Sequence, residues 1–359
     1  MKIGLVGLSG SGKTTLFELL TEGHSGGAIA KMAANVGMAT VPDRRIDFLS
    51  QMYHPRKTTY AQIEFTDLPG LIPGGQGGHA FLAAVRNVDA LVLVIRAFAD
   101  PLVPHPADTL DPWRDMELLH TELLFADLEV VEKRIERLEN GKKKKPNEEE
   151  ELELLKECRT ILEGEGRLET LEIDAARACG QRELINGYGF LTQKPLLMLV
   201  NLDEAQWRSG QYPAQEKMEA YGREHQLPVV TVCARTEMEI GQLPREERDD
   251  FLQDLGITES GIDRLARATY QHLNLISFFT VGEDEVRAWT IHRGTTAKKA
   301  AGKIHSDIER GFIRAEIVKY RHLHDLGAMA KVKEKGLFQL EGKEYTMEDG
   351  DIVNFRFNV

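Results

Sequence analysis

The residues that most clearly carry chemistry lie near the start of the chain, at positions 7–14 (GLSGSGKT), a segment called here the phosphate loop. It fits the spacing G-x-x-x-x-G-K-[ST], in which glycines let the backbone wrap round a phosphate where a Cβ atom would collide. Lys13 would reach the β- and γ-phosphates of a nucleoside triphosphate, and the Thr14 hydroxyl would ligate Mg²⁺. The residues that we predict to hold the phosphates are Ser9, Gly10, Ser11, Gly12, Lys13, Thr14 and Thr15.

The flanking sequence supports this prediction. Residues 2–6 (KIGLV) form a short apolar run typical of a buried strand, and residues 15–21 (TLFELLT) carry leucines at helical spacing. A strand that turns into a helix points several backbone N–H groups at one place, and the helix N-terminus adds about half a positive charge there. The alternative is a glycine-rich turn that merely caps a helix. The combined pattern favours binding of a nucleoside triphosphate.

A second group of residues would complete a hydrolase. Residues 61–66 alternate as a strand that ends in Asp67-Leu68-Pro69-Gly70. Asp67 would hold Mg²⁺ through a water, and Gly70 would offer its N–H to the γ-phosphate. The following glycine-rich residues, 71–79, could become ordered when the γ-phosphate is present and relax when it leaves. The alternative is a plain turn at the end of a strand.

A third group would contact the base. Asn201, Leu202 and Glu204 occupy the positions of the N-K-x-D motif with which GTPases recognise guanine, and Cys233-Ala234 occupies the place of their S-A-K motif. In that motif an aspartate accepts hydrogen bonds from guanine, whereas Glu204 is one methylene longer and Leu202 replaces the lysine. A polar site discriminates strongly against mismatched partners, so guanine specificity is weakened and adenine becomes a candidate. The alternative is a strand end whose polar residues face solvent.

The elements that must position these groups are apolar strands separated by helices. Residues 90–96, 194–201 and 227–234 are nearly continuous apolar runs, as in strands buried on both faces. Strands of this kind that alternate with helices predict an α/β fold with a doubly wound, mostly parallel sheet.

Two further regions have a different pattern. Residues 113–188 contain no strand pattern but two apolar helical stripes, interrupted at 140–147 by NGKKKKPN, which predicts an inserted α-helical coiled-coil hairpin. From residue 276 onward four short strands and one helix, residues 296–307, predict a small α+β domain. Between residues 298 and 321 of that domain, basic residues outnumber the acidic residues Asp307, Glu309 and Glu316. The basic residues are Lys298, Lys299, Lys303, Arg310, Arg314, Lys319 and Arg321. For both regions, contact with RNA phosphates and a merely solvated surface remain open.

Length and composition set the remaining limits. A chain of 359 residues predicts several domains, and we place their boundaries at 1–112 with 191–275, at 113–190 and at 276–359. The net charge of −12 argues against non-specific binding to DNA by the whole surface. The three cysteines form no C-x-x-C pair, the chain begins directly in a strand, and no apolar run reaches about eighteen residues. We therefore expect a cytoplasmic protein, a monomer, without a membrane partner.

The sequence resembles the YchF subfamily of the Obg-like P-loop NTPases, in the TRAFAC class. The similar segments are 35–42, 64–71, 201–204, 254–256, 278–280, 286–290, 294–297, 308–316 and 355–359. The resemblance implies a P-loop NTPase G domain, the inserted hairpin and a C-terminal ubiquitin-like TGS domain. It also implies hydrolysis of ATP in preference to GTP through an N-x-x-E motif, and binding to the ribosome or ribosomal RNA through the TGS domain and the hairpin.

Several positions depart from the family's pattern. The phosphate loop of the family usually carries an asparagine tied to a bound K⁺, and Gly10 occupies that place, which argues against a K⁺ site. Lys31 occupies the place of a threonine that senses Mg²⁺ and the γ-phosphate, and Cys233 replaces a serine. Lys31 could place its charge on the γ-phosphate or be a solvated lysine. His79 is a candidate for orienting the attacking water, with a structural role as the alternative.

Three functions follow as hypotheses. The first is an ATP-hydrolysing switch that binds the ribosome. The second is a GTPase of the same architecture, with Glu204 in the role of the aspartate. The third is a nucleotide-sensing module with little or no hydrolysis, which Gly10 and Lys31 favour.

Overall fold

A computed structural model describes residues 1–21, 35–71, 78–141, 146–171, 178–243 and 259–358 of the chain. The chain divides into two compact units. The first unit contains Met1–Gly37 and Glu64–Ile262, and the second unit contains Met38–Ile63 and Asp263–Val359. Within the described ranges, no helix is both long enough and apolar enough to cross a bilayer. The three domains expected from the sequence have other boundaries than these two units, and they stay a prediction.

The strands and helices of the described residues alternate along most of the chain. The strands are β1 (Lys2–Val6), β2 (Asn35–Thr40), β3 (Lys57–Thr59), β4 (Gln62–Asp67), β5 (Ala90–Arg96), β6 (Leu196–Asn201), β7 (Val229–Val232), β8 (Leu275–Thr280), β9 (Glu285–His292), β10 (Phe312–Lys319), β11 (Gln339–Glu341) and β12 (Asp351–Phe357). The helices are α1 (Lys13–Leu20), α2 (Arg44–Tyr53), α3 (Gly78–Arg86), α4 (Pro112–Glu139), α5 (Pro146–Glu163), α6 (Ala178–Tyr188), α7 (Glu204–Ser209), α8 (Gln215–Glu224), α9 (Ala234–Gln242), α10 (Gly261–His272), α11 (Ala297–Ile304), α12 (Ser306–Arg310), α13 (Tyr320–Leu326) and α14 (Met329–Glu334).

The first sheet has the strand order β2-β4-β1-β5-β6-β7. Strand β1 pairs in parallel with β4 and β5, and β6 pairs in parallel with β5 and β7. Every residue of β5 and β6 is buried, which explains their continuous apolar sequence. The predicted doubly wound, mostly parallel sheet is therefore confirmed, and its strands end where the phosphate loop begins.

The predicted helical hairpin consists of α4 and α5. Leucines, isoleucines and valines from both helices share one apolar cluster, in which Val131, Leu155 and Cys158 are fully buried. Asp127 of α4 is also buried, and its carboxylate accepts hydrogen bonds from the backbone N–H groups of Leu191 and Thr192 at 2.9 and 2.7 Å. This contact fastens the hairpin helix to the chain that returns into the sheet. The lysines at 142–145 lie outside the described residues.

The second unit is built on a sheet with the strand order β11-β10-β12-β8-β9-β3. Strands β8 and β9 pair antiparallel, as do β10 and β12, while β3 pairs in parallel with β9. The expected α+β architecture is confirmed, with two corrections. Helices α13 and α14 and strand β11 were not expected from the sequence. The single helix expected at 296–307 is two helices, α11 and α12, because the backbone of His305 between them is extended.

Candidate functional site

The phosphate loop joins β1 to α1 in a conformation that only glycines fit. Gly10 and Gly12 have φ angles of 76° and 91°, in the left-handed region that favours glycine. A Cβ atom on Gly12 would lie 2.3 Å from Nδ2 of Asn201, and one on Gly7 would lie 2.4 Å from the carbonyl oxygen of Val94. The spacing of the glycines follows from these close approaches.

Lys13 is the buried cation of the site. Its side chain is 7% exposed, and Nζ donates hydrogen bonds to the carbonyl oxygens of Gly7 and Leu8 at 3.1 and 2.9 Å. Burial lowers the pKa of Lys13 to about 8, against the opposing effect of the negative charge of Asp67. The ammonium group is therefore held inside its own loop, where the oxygens of a phosphate would be stronger partners.

Thr14 and Asp67 form a second polar pair beside this lysine. The Thr14 hydroxyl donates to Oδ2 of Asp67 at 2.8 Å. The other carboxylate oxygen, Oδ1, is buried and has no hydrogen-bond partner among the described residues. Burial raises the pKa of Asp67, while the Thr14 hydrogen bond and the charge of Lys13 act in the opposite direction.

These two residues fit Mg²⁺. An unpartnered carboxylate oxygen next to a hydroxyl supplies the hard oxygen ligands that this cation prefers. In the part of the chain that the structure describes, no cluster of three or more His, Cys, Asp and Glu side chains could hold a metal ion. Mg²⁺ typically binds through one or two carboxylates together with water and substrate phosphates, so the small donor set is what it requires.

Gly70 packs directly against the phosphate loop. A Cβ atom at this position would lie 3.0 Å from Cα of Ser9 and 3.2 Å from Nζ of Lys13. The neighbouring Leu71 accepts a hydrogen bond from the N–H of Ser9 at 3.1 Å and donates its own N–H to Gly7 at 3.0 Å. The segment that follows β4 is thus bonded to the loop, which brings Gly70 next to Lys13. The role of its N–H toward the γ-phosphate stays a prediction.

Asn201 connects three elements of the site. Its buried amide donates from Nδ2 to the carbonyl of Ser11 at 3.1 Å, and its Oδ1 accepts from the N–H of Ala234 at 3.2 Å. A peptide group directs its C=O and N–H to opposite sides. Since Asn201 holds the Ser11 carbonyl, the N–H of Gly12 in the same peptide points away from Asn201. The residue expected at the base therefore orients the phosphate loop.

A pocket of about 900 Å³ begins at the phosphate loop and extends past the ends of β5, β6 and β7. The predicted site residues that line it are Gly10, Gly12, Lys13, Thr14, Thr15, Asn201, Leu202, Glu204 and Ala234. Ser9, Ser11 and Cys233 are not among its lining residues. Cys233 is buried behind Ala234, and its sulfur accepts a hydrogen bond from the Thr236 hydroxyl at 3.1 Å.

Glu204 also lines this pocket, at the start of α7. Its carboxylate is 58% exposed and pairs with the guanidinium of Arg208 at 2.6 Å. The adjacent Asp203 caps the helix, because its carboxylate accepts the backbone N–H of Gln206 at 2.9 Å. Of these two acidic residues, Glu204 is the one whose carboxylate is not used by the helix backbone.

The sequence did not lead us to predict one wall of the pocket, which Arg96 holds in place. Arg96, at the end of β5, is 4% exposed and donates to the carbonyls of Phe98 and Val103 at 3.1 and 2.9 Å. It also lies 3.5 Å from the carbonyl of Gly10, and its guanidinium covers the Phe98 ring at 4.5 Å. Phe98, Asp100 and Val103 line the pocket. The position of Arg96 could have indicated this role, because it is a charged residue at the end of an otherwise apolar strand. Ligand crevices form at the carboxyl ends of parallel strands.

Two predicted residues cannot be placed at the site. Lys31 lies outside the described residues, as do residues 254–256. His79 belongs to the first turn of α3, but the description does not extend to its side chain. Their proposed roles toward the γ-phosphate and the attacking water stay predictions.

Comparison with known proteins gives matches at both ends of the chain. Residues 275–358 match a family, YchF-GTPase_C, described as "Protein of unknown function (DUF933)". Residues 2–122 match a family described as "50S ribosome-binding GTPase".

Similar proteins extend over nearly the whole chain. A protein of Bacillus subtilis (strain 168) named "Ribosome-binding ATPase YchF" is 42% identical, over 99% of this chain and 99% of that protein. The protein of the same name from Escherichia coli O157:H7 is 39% identical, over 100% and 99% of the two chains. A solved structure, described as that of the Schizosaccharomyces pombe YchF GTPase, superimposes with a TM-score of 0.87 at 31% identity. It covers 99% of this chain and 97% of that one. The predicted fold class is confirmed by this agreement.

Proposed function

Because this chain belongs to the YchF family of P-loop NTPases, we propose that it is a ribosome-associated switch that hydrolyses ATP, in preference to GTP, to ADP and phosphate. One observation carries the proposal. Lys13 and Thr14 line the same pocket as Glu204, and Thr14 is hydrogen-bonded to Asp67. The names of the bacterial relatives support ATP as the substrate and the ribosome as the partner.

The residues of the phosphate loop would do most of the catalytic work by positioning. Lys13 leaves the carbonyls of Gly7 and Leu8 to bind the β- and γ-phosphates, and the N–H groups of the loop and of Gly70 hold the phosphate oxygens. Thr14 and Asp67 hold Mg²⁺, which neutralises charge on the phosphates when bound. This arrangement stabilises the charge of the transition state without a covalent intermediate. K⁺ is not part of the proposal, because Gly10 has no side-chain oxygen that could take the place of the asparagine that the family usually has there.

The base would lie against Phe98 and beside Glu204. Phe98 offers an aromatic face, and Leu202 is buried beneath the site as part of the core. The carboxylate of Glu204 would accept a hydrogen bond from the exocyclic amine of adenine. Asn201 and Ala234 also line the pocket, and the buried Cys233 is the residue before Ala234.

The ribosome contact is proposed for the TGS domain at 276–359 and for the helical hairpin at 113–190, with the G domain at 1–112 and 191–275. Six of the seven basic residues singled out in the sequence are exposed, and five of them carry this part of the proposal. They are Lys298, Lys299, Lys303, Arg314 and Arg321. The other two are engaged in ion pairs, Arg310 with Asp307 and Lys319 with Asp351. Binding to ribosomes implies a cytoplasmic protein, and we expect it to act as a monomer.

Two alternatives remain testable. The S. pombe structure is described as a GTPase, which favours GTP as a second candidate substrate. Gly10 and Lys31 favour a module that binds nucleotide with little hydrolysis.

The test is a titration of the purified protein with fluorescent ATP and GTP analogues, followed by phosphate release. ATP binding with slow release that Lys13→Ala abolishes supports the ATPase. Tighter binding of GTP supports the GTPase. Binding without single-turnover release, even with ribosomes added, supports the sensor.

A further inference from the structure

The ion pair between Glu204 and Arg208 is unusually close for its class. Nη2 of Arg208 lies 2.6 Å from Oε1 of Glu204, at i,i+4 spacing on α7. Three other Arg–Glu pairs with this spacing, Arg159–Glu163, Arg223–Glu219 and Arg235–Glu239, have N–O separations of 3.8 Å. Within this set of four, the Glu204–Arg208 ion pair has the shortest N–O separation. Glu204 lines the pocket, as do both members of the more widely separated Arg235–Glu239 pair.

This bond changes what the Glu204 carboxylate can recognise. Guanine presents two adjacent donors, N1–H and the N2 amine, which a carboxylate meets best with both of its oxygens. Adenine presents one exocyclic amine on that edge and needs one oxygen. Because Oε1 is in an ion pair with Arg208, Oε2 is the oxygen that is free of this contact, and part of the negative charge of the carboxylate is neutralised.

We propose that Arg208 is a specificity-determining residue that favours adenine over guanine by holding one carboxylate oxygen of Glu204. This inference rests on the proposed nucleotide site. It adds that discrimination depends on the residue pair and not on the length of Glu204 alone. Arg208 acts through Glu204 and need not touch the nucleotide.

The size of the effect is limited by solvent. Both side chains are more than half exposed, at 58% for Glu204 and 63% for Arg208. Exposed pairs of this kind are worth up to about 1 kcal/mol, which corresponds to roughly fivefold in a binding constant. We therefore expect Arg208→Ala to reduce the ratio of the GTP to the ATP dissociation constant by about three- to fivefold. Most of this change should come from tighter binding of GTP.

The experiment measures dissociation constants of non-hydrolysable ATP and GTP analogues for the wild type and for Arg208→Ala. The matched control is Arg223→Ala, which removes an arginine with the same i,i+4 spacing on α8, outside the pocket lining. Its ratio should equal that of the wild type. A double-mutant cycle with Glu204→Ala tests the mechanism, because Arg208→Ala should leave the ratio unchanged once Glu204 is absent.

The outcomes are distinguishable. If the wild type prefers ATP and Arg208→Ala has the same ratio of dissociation constants, the role of Arg208 is overturned while the ATP preference stands. An equal effect in the Glu204→Ala background also overturns it, because Arg208 would then act directly on the base. A wild type that binds GTP more tightly overturns the ATP preference itself.

Discussion

The hydroxyl of Thr14 donates a 2.8 Å hydrogen bond to Oδ2 of Asp67, and so joins the first turn of α1 to the end of β4. The other oxygen of the carboxylate is buried without a partner. The pair therefore has one oxygen fixed and one available for a cation. A substitution that keeps the shape of Asp67 but removes its charge can therefore test metal binding without disturbing the fold.

We predict that Asp67→Asn strongly reduces the dependence of nucleotide binding on Mg²⁺. The substitution keeps the shape of the side chain and removes its charge, so the enhancement of ATP affinity by Mg²⁺ should fall by about 10- to 100-fold. Titrations with MgCl₂ and with EDTA measure this enhancement. Asp111→Asn is the matched control, because Asp111 caps α4 and asparagine caps a helix equally well. An enhancement equal to that of the wild type would show that Asp67 does not hold the metal.

The depressed pKa of Lys13 predicts weaker ATP binding at alkaline pH. In the nucleotide-free protein this pKa is about 8, and bound phosphates require the charged form. Affinity should therefore be constant below pH 7 and fall by up to tenfold per pH unit above pH 8. Fluorescence titrations between pH 6.5 and about 9.5 check this, and calorimetry should detect proton uptake on binding above pH 8. Lys13→Arg should give a flat profile, since arginine stays protonated over this range.

The same group makes an opposite prediction for stability without nucleotide. Its pKa in the folded state lies below the ordinary value of 10.5, so the unfolded chain binds more protons between pH 8 and 10.5. The contribution of Lys13 to the free energy of unfolding then rises with pH across this window. The difference between the wild type and Lys13→Met should change in that direction in urea unfolding. A difference that is independent of pH would contradict the burial of a charged lysine.

Arg96 is predicted to hold the pocket wall against the phosphate loop. Its guanidinium donates to the carbonyls of Phe98 and Val103 and lies 3.5 Å from that of Gly10. Arg96→Met keeps much of the apolar stem and leaves these partly buried carbonyls without a donor, which should lower the free energy of unfolding by about 1–3 kcal/mol. Nucleotide affinity should also fall, by about tenfold.

The variant Arg96→Lys tests whether the planar guanidinium or only the positive charge of Arg96 is needed. Lysine retains the charge but has no planar fork with which to reach several carbonyls, so it should recover the affinity only in part. Arg56→Met is the control, because Arg56 is 86% exposed and lies in the second unit. Wild-type affinity in Arg96→Met would show that the wall does not depend on this residue.

How much the sequence could predict differs between elements for physical reasons. The strand, glycines and helix around Lys13 were predictable because each local preference favours the same turn. Strand β3 was missed because it consists of three polar residues, with no periodicity to indicate a strand. The role of Asn201 could not be predicted either, since its bond to Ser11 joins residues 190 positions apart. Phe98 lies in a loop, where hydrophobic spacing gives no information about which side chain faces a ligand.

The basic residues of the second unit lead to the last prediction. Lys298 and Lys299 lie in the first turn of α11 and are exposed, on a chain whose net charge is −12. If they contact ribosomal RNA phosphates, each contact releases bound counterions, so affinity should depend steeply on salt. The double variant Lys298→Glu/Lys299→Glu should sediment less with ribosomes at 50 mM salt. Its affinity should also fall less between 50 and 200 mM salt than that of the wild type. The control, Lys217→Glu/Arg223→Glu on α8, makes the same change in net charge in the first unit. An equal loss in both variants would attribute the effect to overall charge, and no loss in either would place the ribosome contact elsewhere than on α11.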